Sequence, residues 1–170
     1  KNPYYKIKQL LINKTKNNKY LKAFILGDKS DIERIIRSCG SYTKKSGYII
    51  DIAKSLVENC NGVVPNDREY LESLPGIGRK TANVVLSTLY NKPYFAVDTH
   101  VTRVTKRLGL VPNDYNTLEI EKEMYKRVPT ERINRTHHQF VLFGRYYCKS
   151  KKPMCDTCKL KNICKKELQS

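Results

Sequence analysis

The sequence predicts an all-α fold. Three observations carry this. Apolar residues recur at helical spacing along most of the chain, strand-like alternation is nearly absent, and Ser, Asn, Gly and Pro fall where such helices would begin and end. Ser30 and Glu33 read as an S-x-x-E capping box that opens a helix with Ile32, Ile35 and Ile36 on its apolar face, and Gly40 closes it. Ile49, Ile52, Ala53, Leu56 and Val57 mark the next helix, which Gly62 to Pro65 breaks. Asn66 would cap a short helix running to about Ser73, with Glu69 at its third position. Ala82, Val85, Leu86 and Leu89 mark another helix; Val101, Val104 and Leu108 mark the one after, with Gly109 following. Asn116 and Glu119 open a further helix. Ile133, His137, Phe140, Val141 and Gly144 share a face after the Pro129-Thr130 break. No internal repeat, long linker or low-complexity segment interrupts the series.

A chain of 170 residues suits one compact domain or two small lobes. No run approaches the roughly 18–20 apolar residues of a membrane span, and no secretory signal pattern is visible. Lys and Arg total 33 against 16 Asp and Glu, a net charge of +17. Such an excess attracts a polyanion, of which nucleic acid is the usual one. Charge alone does not separate DNA from RNA, or binding from chemistry.

The stretch Leu74-Pro75-Gly76-Ile77-Gly78-Arg79-Lys80 lies between two helical patterns. Pro75 fixes one backbone angle, and two glycines can take conformations closed to other residues. A tight turn with little side-chain bulk lets amides approach a ligand, and the following helix aims its N-terminus at the same place. Pro75, Gly76, Ile77, Gly78 and Arg79 are therefore candidate phosphate contacts, made largely through the backbone and so independent of sequence.

Lys80 and Asp98 each have an ordinary reading. Lys80 is one of 33 basic residues, and Asp98 would make a good N-cap for the amides of Thr99 to Val101. Lys80 also has a chemical reading, since a neutral lysine amine can form a Schiff base. Burial, the adjacent Arg79 and a helix N-terminus would all favour that neutral form.

Six cysteines are present, and Cys148, Cys155, Cys158 and Cys164 crowd near the C-terminal end with the spacing C-x6-C-x2-C-x5-C. That clustering favours metal ligation over a disulfide framework. Four thiolates suit either zinc or a 4Fe–4S cluster, and spacing alone leaves both open. Lys149, Lys151, Lys152, Lys159 and Lys161 lie in the loop against one acid, Asp156, so the loop could meet phosphate. Cys39 and Cys60 are expected in the helical core or at helix ends. Nothing in the pattern favours His100, His137 or His138 as acid–base groups over packing.

Leu74 to Leu86, LPGIGRKTANVVL, resembles the helix-hairpin-helix of the endonuclease III family of DNA glycosylases. The likeness continues through Ala96-Val97-Asp98-Thr99-His100, His137-His138 and Gly144-Arg145-Tyr146, and ends in the cysteine loop. The resemblance implies two helical lobes flanking a DNA-binding cleft. Residues 1–92 would form a bundle holding the helix-hairpin-helix at about 67–91, and residues 93–170 a second lobe ending in an iron–sulfur loop at 148–164. It also implies that Lys80 is the nucleophile of a bifunctional glycosylase and AP lyase, that Asp98 is its catalytic carboxylate, and that the four cysteines hold a 4Fe–4S cluster, with zinc the alternative. The expected substrate is double-stranded DNA with an oxidised pyrimidine or an abasic site, acted on by a monomer located with the DNA. A glycosylase for mismatched or otherwise damaged bases, or a non-catalytic DNA-binding module, are the alternatives.

The early region departs from the family. Leu11 to Asn17 reads LINKTKN where members often carry serine, glutamine and aspartate, and Lys14 stands where a glutamine commonly fills the gap left by a flipped base. Lys14 is thus a candidate DNA contact. Ser41 stands where some relatives have a bulky wedge. The resemblance implies that the family's first helix, which would pack on the second lobe, is not expected among these residues.

Overall fold

The computed structural model describes residues 19–165, and every regular element among them is helical. The chain divides between Tyr90 and Asn91 into two compact units. The first holds α1 (Lys19–Leu26), α2 (Lys29–Ile35), α3 (Tyr42–Cys60), α4 (Arg68–Ser73) and α5 (Arg79–Tyr90). Helices α1 and α2 both pack on α3, and α4 packs on α5. Ile32, Ala53, Leu56, Leu71, Leu74, Ala82 and Leu86 are its buried apolar residues. The second unit holds α6 (Thr99–Arg107), α7 (Thr117–Arg127) and α8 (Ile133–Tyr146), with single 3-10 turns at Thr130–Arg132 and Lys161–Ile163. Its core joins Phe95, Val97, Val101, Val111, Ile120, Met124 and Ile133. Helices α6 and α8 approach closely because Gly144 has no side chain. A Cβ there would stand 2.9 Å from the His100 Cβ and 3.1 Å from Val104 Cγ2.

The helix boundaries follow the caps, and three differ from the sequence reading. Asn116 and Glu119 open α7 as expected, and they do so as a capping box: Asn116 Oδ1 accepts from Leu118 N and Glu119 N, and Glu119 Oε2 accepts from Asn116 N at 2.7 Å. The cap of α2, however, is Asp28, whose carboxylate accepts from Ser30 N at 2.9 Å, so Ser30 lies inside the helix. Glu33 is diverted to Lys29 and to the Ser46 hydroxyl. Gly40 does not close α2, which ends at Ile35 with Ile36 as its C-cap. Ile35 is exposed. Similarly, Asp67 rather than Asn66 caps α4, accepting from Tyr70 N at 3.1 Å. Cys60 ends α3, whereas Cys39 is exposed beyond the end of α2. No helix among the described residues is long and apolar enough to cross a membrane.

Candidate active site

The hairpin begins where α4 stops. Leu74 is buried and its carbonyl accepts from Ile77 N at 3.1 Å, which closes the turn. Gly78 starts the next helix: its carbonyl accepts from Thr81 N at 2.9 Å and Ala82 N at 3.0 Å. The two glycines do different work, and only one of them uses the conformational freedom that both have. Gly76 has φ +75°, and a Cβ there would lie 2.3 Å from Tyr48 Cδ2. Gly78 is not among the residues with positive φ, and a Cβ there would meet nothing within 4 Å. Gly76 is thus required by the fold, whereas Gly78 leaves open space beside the backbone. Gly76, Gly78 and Arg79 are exposed, and Pro75 and Ile77 are half-buried.

Lys80 is the second residue of α5 and is exposed. The burial expected at this position is therefore missing, because the turn leaves the first residues of α5 at the surface. Asp98 caps α6 as anticipated: Oδ1 accepts from His100 N at 2.8 Å and Val101 N at 2.9 Å. Both bonds fall on one oxygen. Among the described residues Oδ2 has no hydrogen-bond partner, so the cap orients the carboxylate without using it up.

Helix α6 runs from Asp98 to the cysteine loop, and two arginines missed in the sequence join them. Arg103 donates through Nε to the Cys148 carbonyl at 2.9 Å and through Nη2 to the Gly144 carbonyl at 2.6 Å, and its Nη2 also meets His100 Nδ1. One turn on, Arg107 donates to the Lys149 carbonyl at 2.7 Å and stands 3.5 Å from Cys148 Sγ. Their i,i+4 spacing on one helix face was the available signal. His100 Nδ1 is engaged by Arg103, and His137 packs edge-on to Phe95 at 5.7 Å.

Cys148, Cys155, Cys158 and Cys164 line a single cavity together with Leu108, Phe143, Tyr147, Pro153 and Met154. Among the described residues, no three His, Cys, Asp or Glu side chains converge as ready ligands of one metal ion. An apolar pocket carrying four sulfurs, with a guanidinium beside one of them, is a donor set suited to a thiolate-held centre. Lys149, Lys151 and Lys152 are exposed on the same loop, with Lys152 at φ +50°. The loop's one acid, Asp156, pairs with Lys161 at 3.7 Å. Ser41 is exposed and takes a left-handed conformation at the start of α3. Lys14 lies outside the described residues.

Helix α4, the turn and α5 make a helix-hairpin-helix, and the chain is a protein of that class. Residues 5–130 match the HhH-GPD superfamily of base excision DNA repair proteins. Endonuclease III of Bacillus subtilis is 41% identical over 156 residues, covering 91% of this chain and 71% of that protein. Endonuclease III of Escherichia coli K12 is 43% identical over 133 residues, covering 78% of this chain and 63% of its own length. A solved endonuclease III–DNA covalent intermediate superposes with a TM-score of 0.83 at 41% identity, covering 94% of this chain and 78% of that one. The chain therefore belongs to the endonuclease III family of base excision DNA repair enzymes.

Proposed function

We propose that the chain is a bifunctional DNA glycosylase and AP lyase acting on oxidised pyrimidines of the thymine glycol type. The observation that carries this is Lys80 at the exposed start of α5, directly after a turn with open space beside Gly78. Backbone amides at the turn would hold a phosphate, leaving the lysine amine beside the strand. The relative trapped covalently on DNA supports a nucleophilic residue in this family.

The chemistry starts with the damaged nucleotide rotated out of the duplex. The Lys80 amine attacks the sugar C1′ as the base departs, and the Asp98 carboxylate offsets the positive charge that develops on the sugar. Loss of a proton from nitrogen and opening of the sugar give a Schiff base between Lys80 and C1′. Removal of a proton from C2′ then expels the 3′ phosphate, which breaks the strand. Asp98 would take part in proton transfer, and its cap, which uses Oδ1 alone, supports that reading. Lys80 comes from the first unit and Asp98 from the second.

Cys148, Cys155, Cys158 and Cys164 would hold a 4Fe–4S cluster, which supplies a structural anchor for the loop when bound. The loop lysines Lys149, Lys151 and Lys152 would meet DNA phosphates, as would Lys14. Visible absorbance with iron and zinc analysis of the purified protein tests the metal: iron near four per chain is expected, and stoichiometric zinc refutes it.

The catalytic reading is tested by incubating the protein with duplex DNA carrying thymine glycol or an abasic site, then adding borohydride. A covalent adduct should form, vanish in Lys80→Ala and survive in Lys151→Ala. Absence of both adduct and base release would leave only a DNA-binding module.

A further inference from the structure

Asn83 is a buried polar residue on the inner face of α5, fully enclosed between Ala82 and Leu86 in the phase of the apolar stripe. Its Oδ1 accepts a hydrogen bond from Arg68 Nη2, and its Nδ2 has no partner among the described residues. Arg68 is the first residue of α4, and its Nε also donates to Glu72 Oε1 at 2.9 Å one turn along. A single guanidinium thus spans from the body of α4 to the interior of α5.

An apolar residue at position 83 would pack without an unpaired amide. Burying a polar group with only one bond is poor design for stability alone. What such a pair does supply is a fixed geometry, because a charged donor and a desolvated acceptor tolerate little displacement. Asn83 lies about one turn after Lys80 along α5, and Arg68 opens the short helix α4 that leads into the turn. The link therefore closes across the base of the hairpin whose tip carries the glycines and the lysine.

We propose that Arg68 is a positioning residue for Lys80: through Asn83 it sets the angle between α4 and α5, and so the direction in which the amine and the turn amides are presented. This rests on Lys80 being the nucleophile. Reactions that depend on near-attack geometry lose about a hundredfold for a displacement of roughly 1 Å, so an unlocked α5 should fold and yet react slowly.

The decisive variant is the double substitution Arg68→Met with Asn83→Leu, which removes charge, acceptor and unpaired donor together. Its melting temperature should stay within a few degrees of the parent, since a well-packed apolar pair commonly replaces a buried polar one without loss. Its single-turnover borohydride-trapping rate on saturating abasic-site duplex should fall at least about tenfold. Arg68→Lys, which keeps one charged donor, should recover part of that rate, and Asn83→Asp, which keeps the acceptor, should trap faster than the double variant. These two milder changes serve if the double variant does not fold. A stable double variant that traps at the parental rate, or milder variants indistinguishable from it, would overturn the proposal. A parent that forms no adduct, or an adduct that persists in Lys80→Ala, would instead sink the nucleophile reading, and the positioning role with it.

Discussion

Gly76→Ala and Gly78→Ala are the same chemical change two residues apart, and the structure expects opposite consequences. At position 76 the backbone has φ +75°, a region that costs an L-residue roughly 1–2 kcal/mol. The new methyl would also sit 2.3 Å from Tyr48 Cδ2 and 2.9 Å from Cε2. Carbon pairs rest about 3.5 Å apart, so the ring would have to retreat by about 1 Å or the turn would deform. Tyr48 is 38% exposed, so its ring has room to swing, and the backbone cost should dominate. A loss of about 1–2 kcal/mol is expected, with weaker binding to undamaged duplex because the turn amides move. At position 78 no atom lies within 4 Å of the added methyl, so stability should hold. Yet the methyl would fill the space a phosphate needs, so binding should fall in a protein of unchanged stability. The assays are urea unfolding and fluorescence anisotropy with an undamaged duplex at fixed salt. Tyr48→Ala in the Gly76→Ala background should relieve only the contact and restore little. Unchanged stability in Gly76→Ala, or full binding in Gly78→Ala, would refute the division of labour between the glycines.

Asp98→Asn should separate capping from chemistry. Asn caps nearly as well, so stability should change by only a few tenths of a kcal/mol while adduct formation is lost, whereas Asp98→Ala should also cost about 1 kcal/mol of stability. Arg103→Ala removes the donor from the carbonyls of Cys148 and Gly144. It should destabilise by on the order of 2 kcal/mol and lower the iron recovered per chain, a ratio that would be unchanged if Arg103 were incidental to the loop. Neutralising Lys151 and Lys152 together should flatten the dependence of log affinity on log salt by about 0.9 per lost phosphate contact; an unaltered slope would take the loop off the DNA. The Tyr90 hydroxyl donates to the Val64 carbonyl, and burial, then the nearby Cys60, raises its pKa above the ordinary 10.0. The neutral phenol is thus favoured in the folded state. Its contribution is complete below pH 10.0 and fades as pH rises through the folded value. Tyr90→Phe should flatten the alkaline limb of a stability-versus-pH curve.

What could be read from the sequence was what short range decides. Asn116 and Glu119 open α7 as read, even with Asp114 and Thr117 close by, because each satisfies the other's end of a reciprocal pair. Ser30 and Asn66 each had a neighbour as good at capping, Asp28 and Asp67, and side-chain type alone cannot rank such near-equals. For Ser30 the choice was tipped by a residue far along the chain, since Ser46 engages the glutamate that a box would need. The hairpin was legible as a turn, but not the separate reasons for its glycines, because the Tyr48 ring that excludes a side chain at Gly76 arrives from α3. The exposure of Lys80 was likewise invisible, being a property of how the turn leaves α4.

The same contrast explains why the residues proposed for the chemistry stood out in the sequence and their supports did not. Lys80, Asp98 and the four cysteines sit in strings whose local order is itself distinctive. Arg68 meets Asn83 across 15 positions, and Arg103 meets Cys148 across 45. Such pairs leave only a faint trace in one sequence: an amide where the α5 periodicity calls for an apolar residue, or two arginines one turn apart on a short helix. Both traces have a physical meaning. A buried amide or guanidinium lowers stability unless it is satisfied, so its presence in a small core marks a place where orientation is held at some cost to packing. In this chain the buried Asn83 amide and the half-buried Arg103 guanidinium each lie near one of the two residues proposed for catalysis. Arg68 and Asn83 lie behind Lys80, while Arg103 ties the helix capped by Asp98 to the cysteine loop. Orientation at both residues should therefore fail before folding does, and variants of these supports should lose rate at temperatures where the protein is still fully folded.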